Sequence, residues 1–507
     1  MWLLILLSLL ARLWRFGQVP ISLYWDEVAI GLDARSLLQT GKDLSGQSWL
    51  QPLFYSYGDY KAPVYIWLTT LLGKISSVSE LTIRLPSLLA SLLTAFTLFQ
   101  LVKLVSPKKS KLALYTLASF LIMPWSIHFS RIGFESHLSV FWLILSIFFL
   151  IKAAKKNKPL NIILAALAAS LGIYSYISLR LLAPFFFITV FFIYHRSKLK
   201  ARLAYFLAGL FIITASVFIL MRSPGYSASQ QYRLSNDNLI TSTSYIDKSA
   251  AALAGQETSL LARVIHHRYL YKAQEYLNNY AAHFNPKFLI FSGDPNLRHH
   301  SGFGGELLFI QGIFLAIGLL ALVSYSKKEA WLLLTWLLLS PAVAALVNET
   351  PHASRSIYLI IPLAWLIGLG LDWTFKQTRS RCKTILPVIV TFTLSLNLLF
   401  YLHDYFSHYP QRSSLAWLNP YKQAALYFKD NPTDQPVYIT DQWYQPRLYF
   451  AYYADLGTDQ VNFSLPAACP PEAWCVAPLD WQSETTDIIN QIPGTDKLVI
   501  KTAKYEE

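Results

Sequence analysis

Long apolar runs, separated by short polar segments, make up most of residues 1–403. A helix needs about 20 apolar residues to cross roughly 30 Å of hydrocarbon, and several runs approach that length. We therefore predict about eleven membrane-spanning helices, with boundaries soft by a few residues. The predicted spans are 2–16, 84–103, 112–128, 138–151, 160–177, 181–195, 203–221, 306–325, 330–347, 357–373 and 384–402.

Polar regions interrupt and follow these runs. Two long loops lie at 17–83 and 222–305, and the tail 404–507 is richer in Pro, Asp, Gln and Tyr. Apolar runs in the tail shorten to strand length, which favours a small α/β domain. We predict helices at 421–428 and 445–453, and strands at 437–440 and 497–501. The fold class is thus a polytopic α-helical membrane domain, 1–403, followed by a small α/β domain, 404–507.

Composition agrees with a membrane protein, because 54% of the residues are hydrophobic and only 14% are charged. The net charge of +14 would suggest nucleic acid as a partner of a soluble protein. Here the tendency of basic residues to collect on cytoplasmic loops is the simpler explanation, and we expect no nucleic-acid partner. The basic loops alternate along the chain, at 103–111, 152–158, 196–202, 327–328 and 376–383.

This alternation orients the chain in the cell membrane. The loops 17–83 and 222–305 and the tail 404–507 are predicted to face outside. One local signal disagrees, because Arg12 and Arg15 follow the first run and no cation precedes it. That run also lacks a basic leader and a small-residue cleavage site, so we do not interpret it as a cleaved signal peptide.

Cysteine usage leaves one question open. Cys382 lies in a predicted cytoplasmic loop and is expected to be a free thiol. Cys469 and Cys475 lie in the tail, where an oxidising compartment would allow a disulfide between them. Two unpaired buried thiols are the alternative.

The pair Asp26-Glu27 lies just beyond the first apolar run. A carboxylate at the membrane boundary is partly desolvated, which suits a general base or a ligand for a divalent cation. The simpler alternative is that Asp26 is the N-cap of a helix that continues through Asp33. Both interpretations stay open at this point.

A second polar group is the segment Gly58-Asp59-Tyr60-Lys61-Ala62-Pro63. A lysine directly before a helix that begins with proline is well placed to contact a phosphate. A lysine that only reaches toward water is the alternative. Arg84 enters the second span, where an arginine is costly unless it is paired or faces a polar cavity.

The short outer turns each carry one arginine beside His, Tyr or Ser, and several such arginines on one face would form an anion site. The turn residues of interest are Arg131, Glu135, Tyr176, Arg180, His352 and Arg355. The end of the large loop adds Asp294, Arg298 and His299. Asp294 with His299-His300 could form a metal cluster. We favour a structured turn with exposed histidines, because no second ligand pair lies at zinc spacing.

At these residues the chain resembles the GT-C glycosyltransferases of the protein O-mannosyltransferase and aminoarabinose-transferase type. The resemblance covers most of residues 10–370 and rests on the order of its motifs. These are Asp26-Glu27, Lys61-Ala62-Pro63, Arg84-Leu85-Pro86-Ser87, the run from Ser292 to His299, and Pro351-His352-Ala353-Ser354-Arg355. One position departs: the aminoarabinose-transferase pattern has a glutamate before the lysine, and here that residue is Tyr60.

The resemblance implies transfer of a sugar from a polyprenyl-phosphate carrier to a hydroxyl acceptor on a protein, lipid or glycan. It implies that Asp26 is the base and that Lys61 contacts the carrier phosphate. Glu27 would assist catalysis, or bind a divalent cation (Mg, Mn, Ca or Zn) together with Asp26, and no nucleotide cofactor is expected. The predicted substrate-binding residues are Asp59, Tyr60, Lys61, Arg84, Arg131, Glu135, Tyr176, Arg180, Asp294, Arg298, His299, His352 and Arg355.

Two other functions are compatible with a polytopic chain. A transporter or lipid flippase would place its charges near the membrane midplane on broken helices, often with repeated halves. Here the charges lie at the outer boundary, and no paired halves are evident in the sequence. A non-catalytic surface protein would leave the polar first loop unexplained.

Overall fold

The computed structural model describes residues 1–235, 239, 241–254, 259–378, 383–443, 445–456, 461–466, 470, 473–478, 486–491 and 498–503. They form two compact units. The first contains Met1–Trp14, Leu50–Tyr65 and Leu85–Tyr405, and the second contains Arg15–Trp49, Ile66–Arg84 and Phe406–Glu507. The second unit also contains segments of the first outer loop. The division into domains 1–403 and 404–507 therefore remains a prediction.

Apolar helices dominate the first unit. Six helical segments of the described chain are long and apolar enough to cross a membrane: Glu80–Val105, Glu135–Lys155, Ile177–Met221, Lys327–Leu346, Ile357–Gln377 and Ile385–Ser407. Shorter apolar helices lie at Trp2–Leu13, Lys111–Ile122, Leu160–Ile173 and Phe309–Ser324. Each predicted span overlaps one of these segments, and the 45-residue segment contains two of them. The number of crossings stays a prediction.

The segment Ile177–Met221 is divided by a short 3-10 turn, Arg196–Lys198, into the helices Ile177–His195 and Leu199–Met221. Other connections are also helical, at Pro124–Phe129, Tyr226–Ser235, Ser244–Leu253, Leu260–Ile265, Arg268–Ala282 and the π-helix Lys287–Ser292. The helix predicted to begin at 306 begins at Phe309, which leaves Glu306 in the preceding loop.

Glycines allow two apolar helices of the first unit to approach closely. A side chain on Gly318 would overlap the carbonyl oxygen of Leu366, and one on Gly370 would overlap that of Phe314. Hydrocarbon lipid provides no hydrophobic force between helices, so close backbone packing of this kind must supply the attraction. The pair Phe309–Ala321 and Ile360–Gln377 is therefore held by its small residues.

Two buried arginines secure the first helix. Arg12 donates from Nη1 to the Leu121 carbonyl at 2.7 Å and from Nη2 to Ser126 Oγ at 2.8 Å. Arg131 donates to the carbonyls of Ala11 at 2.6 Å and Trp14 at 2.8 Å, which the helix end leaves without intrahelical partners. Arg12 is thus a packing residue, which explains why its charge runs against the orientation of the other loops.

A two-stranded hairpin precedes the second apolar helix. Strands β1 (Phe54–Ser56) and β2 (Asp59–Lys61) pair antiparallel, with Phe54 opposite Lys61. The turn uses Tyr57 and Gly58 at positive φ. The helix Pro63–Ser76 follows directly, so Lys61 lies between a strand end and a helix that begins with proline.

The second unit combines helices with a mixed sheet. Its helices are Trp25–Thr40, most of Pro63–Ser76, Tyr409–Arg412, Asn419–Asp430 and Pro446–Tyr449, the last continuing as the π-helix Phe450–Ala454. Strands β3 (Val437–Ile439), β4 (Val461–Asn462), β5 (Trp474–Pro478), β6 (Thr486–Gln491) and β7 (Leu498–Ala503) form a sheet in the order β4-β3-β5-β7-β6. Each helix and strand predicted in the tail overlaps one of these elements.

Cys475 lies buried in β5 and is disulfide-bonded. Cys469, its expected partner, lies outside the described residues, as does the predicted free thiol Cys382. The predicted pairing is therefore supported at one of its two ends.

Candidate functional site

Asp26 lies in the first turn of the helix Trp25–Thr40. The N-cap of this helix is Tyr24, so the alternative that Asp26 is the cap is wrong. The cap is completed by Glu27, whose Oε2 accepts a hydrogen bond from the Tyr24 backbone N at 2.9 Å. The Asp26 side chain is half-buried, beside the positive end of the helix dipole.

Glu27 has a structural partner as well. Its Oε1 accepts from Arg84 Nε at 3.1 Å, and both side chains are completely buried. Arg84 also donates to the carbonyls of Gly17 at 3.1 Å and Pro20 at 2.9 Å, and to that of Ser22. The cost of burying this ion pair is offset because the remaining donors of the guanidinium are satisfied.

The two adjacent carboxylates therefore have different surroundings. Glu27 orders the chain before the helix, whereas Asp26 is half-buried and belongs to the same ordered turn. Arg84, predicted to bind substrate, is engaged with Glu27 and three carbonyls. The predicted roles of Glu27 in catalysis and in binding a cation remain predictions.

Three residues of the tail hold the segment before Asp26, and sequence reasoning missed them. Tyr449 donates its hydroxyl to the Leu23 carbonyl at 2.7 Å. Lys422 donates to the Ile21 carbonyl at 3.1 Å, and Trp417 packs edge-on against Tyr24. These residues are some 400 positions away in the chain, so no local pattern in the sequence could have revealed them.

Lys61 belongs to the first unit, whereas Asp26 belongs to the second. The Lys61 side chain is only 5% exposed, although it lies in a short hairpin next to a membrane-spanning region. Asp59 and Tyr60 precede it and are half-buried, and the Tyr60 ring packs against Tyr55 at 5.5 Å between centroids. A lysine buried to this degree is not the water-reaching lysine of the simpler alternative.

The outer arginines differ in their surroundings. Arg131 is fully buried and donates to backbone carbonyls, which makes it a helix cap within the described structure. Arg180 and Arg355 are half-buried, and Nη1 of Arg355 has no hydrogen-bond partner among the described residues. Glu135 begins the helix Glu135–Lys155, and Tyr176 is the N-cap of Ile177–His195.

A buried cluster joins the end of the large loop to the turn before the helix Ile360–Gln377. Asp294 Oδ2 accepts from Ala353 N at 2.7 Å and lies 3.2 Å from His299 Nδ1. The rings of His299 and His352 are 4.5 Å apart between centroids. One potential ligand atom from each of Asp294, His299 and His352 lies within 4.8 Å of the others.

This cluster corrects one prediction. His299 and His300 are 8% and 2% exposed, so the expectation of exposed histidines is wrong. The turn itself is present, with Gly293, Gly302 and Gly304 at positive φ. Its third member, His352, lies 53 residues beyond His299, and the search for zinc-like spacing missed it because the partner comes from another loop. Arg298 is half-buried beside the cluster.

Burial sets the protonation of this cluster. Desolvation lowers the pKa of His352 well below its ordinary value and that of His283 to about 4, so both imidazoles are neutral near pH 7. Burial alone would raise the pKa of Asp294, but its hydrogen bond with His299 and two backbone amides hold the pKa below its ordinary value. Asp294 is therefore a carboxylate close to the neutral imidazole of His352.

Residues 60–220 match the family model of dolichyl-phosphate-mannose-protein mannosyltransferases. The fold is similar to ArnT from Cupriavidus metallidurans bound to undecaprenyl phosphate, with a TM-score of 0.51, 12% identity and coverage of 98% of this chain and 97% of that one. It is also similar to the oligosaccharyltransferase AglB from Archaeoglobus fulgidus in complex with an inhibitory peptide and a dolichol-phosphate.

The AglB match has a TM-score of 0.51 and 12% identity, and it covers 92% of this chain but only 65% of the longer archaeal protein. Among curated proteins, no sequence matches the chain. The expected resemblance to the GT-C glycosyltransferases is confirmed, and the chain has their polytopic membrane fold.

Proposed function

We propose that this protein is a membrane glycosyltransferase that moves a sugar from a polyprenyl-phosphate donor to a hydroxyl acceptor outside the cytoplasm. The observation that carries the proposal is the family match over residues 60–220, which begins at the strand that contains Lys61. The similarity of fold to ArnT bound to undecaprenyl phosphate supports a lipid-linked donor.

Asp26 is the proposed general base. It is a half-buried carboxylate in the first turn of a helix whose approach is fixed by the Glu27–Arg84 pair. A base held in one position can take the proton from the acceptor hydroxyl as the new glycosidic bond forms. Glu27 acts in this scheme by holding the turn.

Lys61 is the proposed contact for the carrier phosphate, with Arg180 and Arg355 as further candidates. Cleavage of the bond between sugar and phosphate leaves negative charge on the lipid phosphate. Cations already ordered in a site of low water content stabilise that charge without further reorganisation. The low exposure of Lys61, at 5%, supports this role for a lysine outside the apolar spans.

The test is transfer of radiolabelled sugar from a defined polyprenyl-phosphate donor by the purified chain. Asp26→Asn is expected to reduce the rate by about 100-fold to 10,000-fold, which is the usual contribution of a positioned general base. Asp247→Asn, at an exposed position of the helix Ser244–Leu253, is the matched control and should keep the full rate. Equal rates for a folded Asp26→Asn chain and the wild type would contradict the role of Asp26.

A further inference from the structure

The cluster around Asp294 has the composition and burial of a metal site. Asp294, His299 and His352 are 3%, 8% and 6% exposed, and one potential ligand atom from each lies within 4.8 Å of the other two. The three residues come from two loops that precede different membrane helices. From this geometry we infer that Asp294, His299 and His352 bind a zinc ion, an inference independent of the proposed glycosyl transfer.

The spacing of the ligand atoms is close to what zinc requires. Neighbouring ligands around a tetrahedral zinc are roughly 3.3 Å apart, given bonds of about 2.0–2.1 Å. Asp294 Oδ2 and His299 Nδ1 are 3.2 Å apart. The widest separation in the group, up to 4.8 Å, exceeds this spacing. His352 Nδ1 accepts a 3.3 Å hydrogen bond from Arg355 N, so its Nε2 is the nitrogen left for the ion.

The residues behind the cluster hold its ligands in position. Asn296 N donates to Asp294 Oδ1 at 2.8 Å, and Ala353 N donates to Oδ2. His283 donates from Nδ1 to the Asn279 carbonyl at 2.9 Å, so its Nε2 can accept from the His352 backbone N at 3.2 Å. Such hydrogen bonds orient ligands before a metal arrives and are a regular part of metal sites.

A buried carboxyl group also lies behind the cluster. Glu306 is completely buried, and its Oε1 accepts from Asp294 N at 3.0 Å. Its Oε2 has no hydrogen-bond partner among the described residues. Through its contact with Asp294 N, Glu306 supports the backbone of Asp294 from behind the ligand atoms.

The ligand types select the metal. Two imidazoles and one carboxylate suit zinc, whereas magnesium and calcium prefer sites made entirely of oxygen. Three protein ligands leave a fourth position for water or another oxygen ligand. The ion would connect the loop 293–305 to the turn 348–356, in addition to the hydrogen bond between Asp294 and Ala353.

The experiment measures metal content in the full chain, purified in detergent without a histidine tag. About one zinc per chain is expected in the wild type, and His299→Gln and His352→Gln should each reduce the content at least about 10-fold. His267→Gln, at an exposed histidine of the same outer loop, is the matched control and should retain the metal. Retention of zinc by His299→Gln and His352→Gln would overturn the assignment.

A second measurement on the wild type covers the case in which the variants fail to fold. Removal of metal with a chelator should lower the unfolding temperature by several degrees, because a ligand that binds only the folded state stabilises it. Zinc should restore that temperature, and magnesium should not. A chain without zinc that shows no response to the chelator or to added zinc would show that the cluster is a metal-free hydrogen-bond network.

Discussion

Asp26 and Glu27 show how two adjacent carboxylates can have different roles. Both carboxylates of Asp26-Glu27 lie in the same helical turn, yet only Glu27 is completely buried. Its oxygens are occupied by Arg84 and the Tyr24 amide. The buried pair fixes the approach to the helix, and Asp26 is the carboxylate of the two that retains some exposure.

Glu27→Gln is expected to destabilise the protein by about 3–5 kcal/mol, because it leaves the Arg84 charge buried without its counter-charge. Thermal or denaturant unfolding in detergent measures the change. Glu275→Gln is the control: it removes the exposed pair with Lys248 and should cost only about 0–1 kcal/mol.

A double variant tests the physical reason. Glu27→Leu with Arg84→Met removes both charges and should recover part of the lost stability. Recovery should be incomplete, because Arg84 also donates to the carbonyls of Gly17, Pro20 and Ser22. If Glu27→Gln alone is as stable as the Glu275→Gln control, the ion pair between Glu27 and Arg84 contributes little to stability.

At the scale of elements, the short helix Pro446–Tyr449 supports the segment just before Asp26. Tyr449 ends the helix Pro446–Tyr449 and donates to the Leu23 carbonyl. On the proposed function, this contact helps to position the base, although Tyr449 itself touches only the backbone before it.

Tyr449→Phe is expected to lower kcat several-fold with little change in KM, because a displaced base affects the chemical step more than substrate binding. The lost hydrogen bond should cost about 1 kcal/mol of stability. Tyr427→Phe, on the helix Asn419–Asp430, is the matched control. Equal losses of kcat in both variants would show a general effect of the tail rather than positioning by Tyr449.

Elements were predicted better than sites, and the reason is physical. Apolar runs report burial in the membrane locally, so the helices at 138–151 and 357–373 could be found from the sequence. The pairing of Glu27 with Arg84 and of His299 with His352 depends on contacts between segments 57 and 53 residues apart. A single sequence contains no local signal for such contacts, so it predicts an exposed turn where the structure has the buried Asp294 cluster.

At the scale of the whole molecule, the orientation in the membrane rests on the basic loops. Arg12 and Arg15 are the local signal against this orientation. Arg12 is buried among carbonyls and hydroxyls and so does not act as a loop charge, whereas Arg15 is exposed and still counts against it. The basic loop with Lys155 and Lys156 and the one with Lys327 and Lys328 still favour the predicted orientation. The orientation decides whether Asp26 and Lys61 face the compartment in which the proposed reaction takes place.

Cysteines introduced at Ser45, Ser242 and Ser464 test the orientation. In a Cys382→Ser background, a membrane-impermeant maleimide should label all three in intact cells, since each lies in a region predicted to face outside. Lys156→Cys, at an exposed position of a predicted cytoplasmic loop, should be labelled only after permeabilisation. If all three outer positions are protected and Lys156→Cys is labelled in intact cells, the orientation is the opposite of the one predicted. The proposed transfer would then have to draw on a donor in the cytoplasmic leaflet.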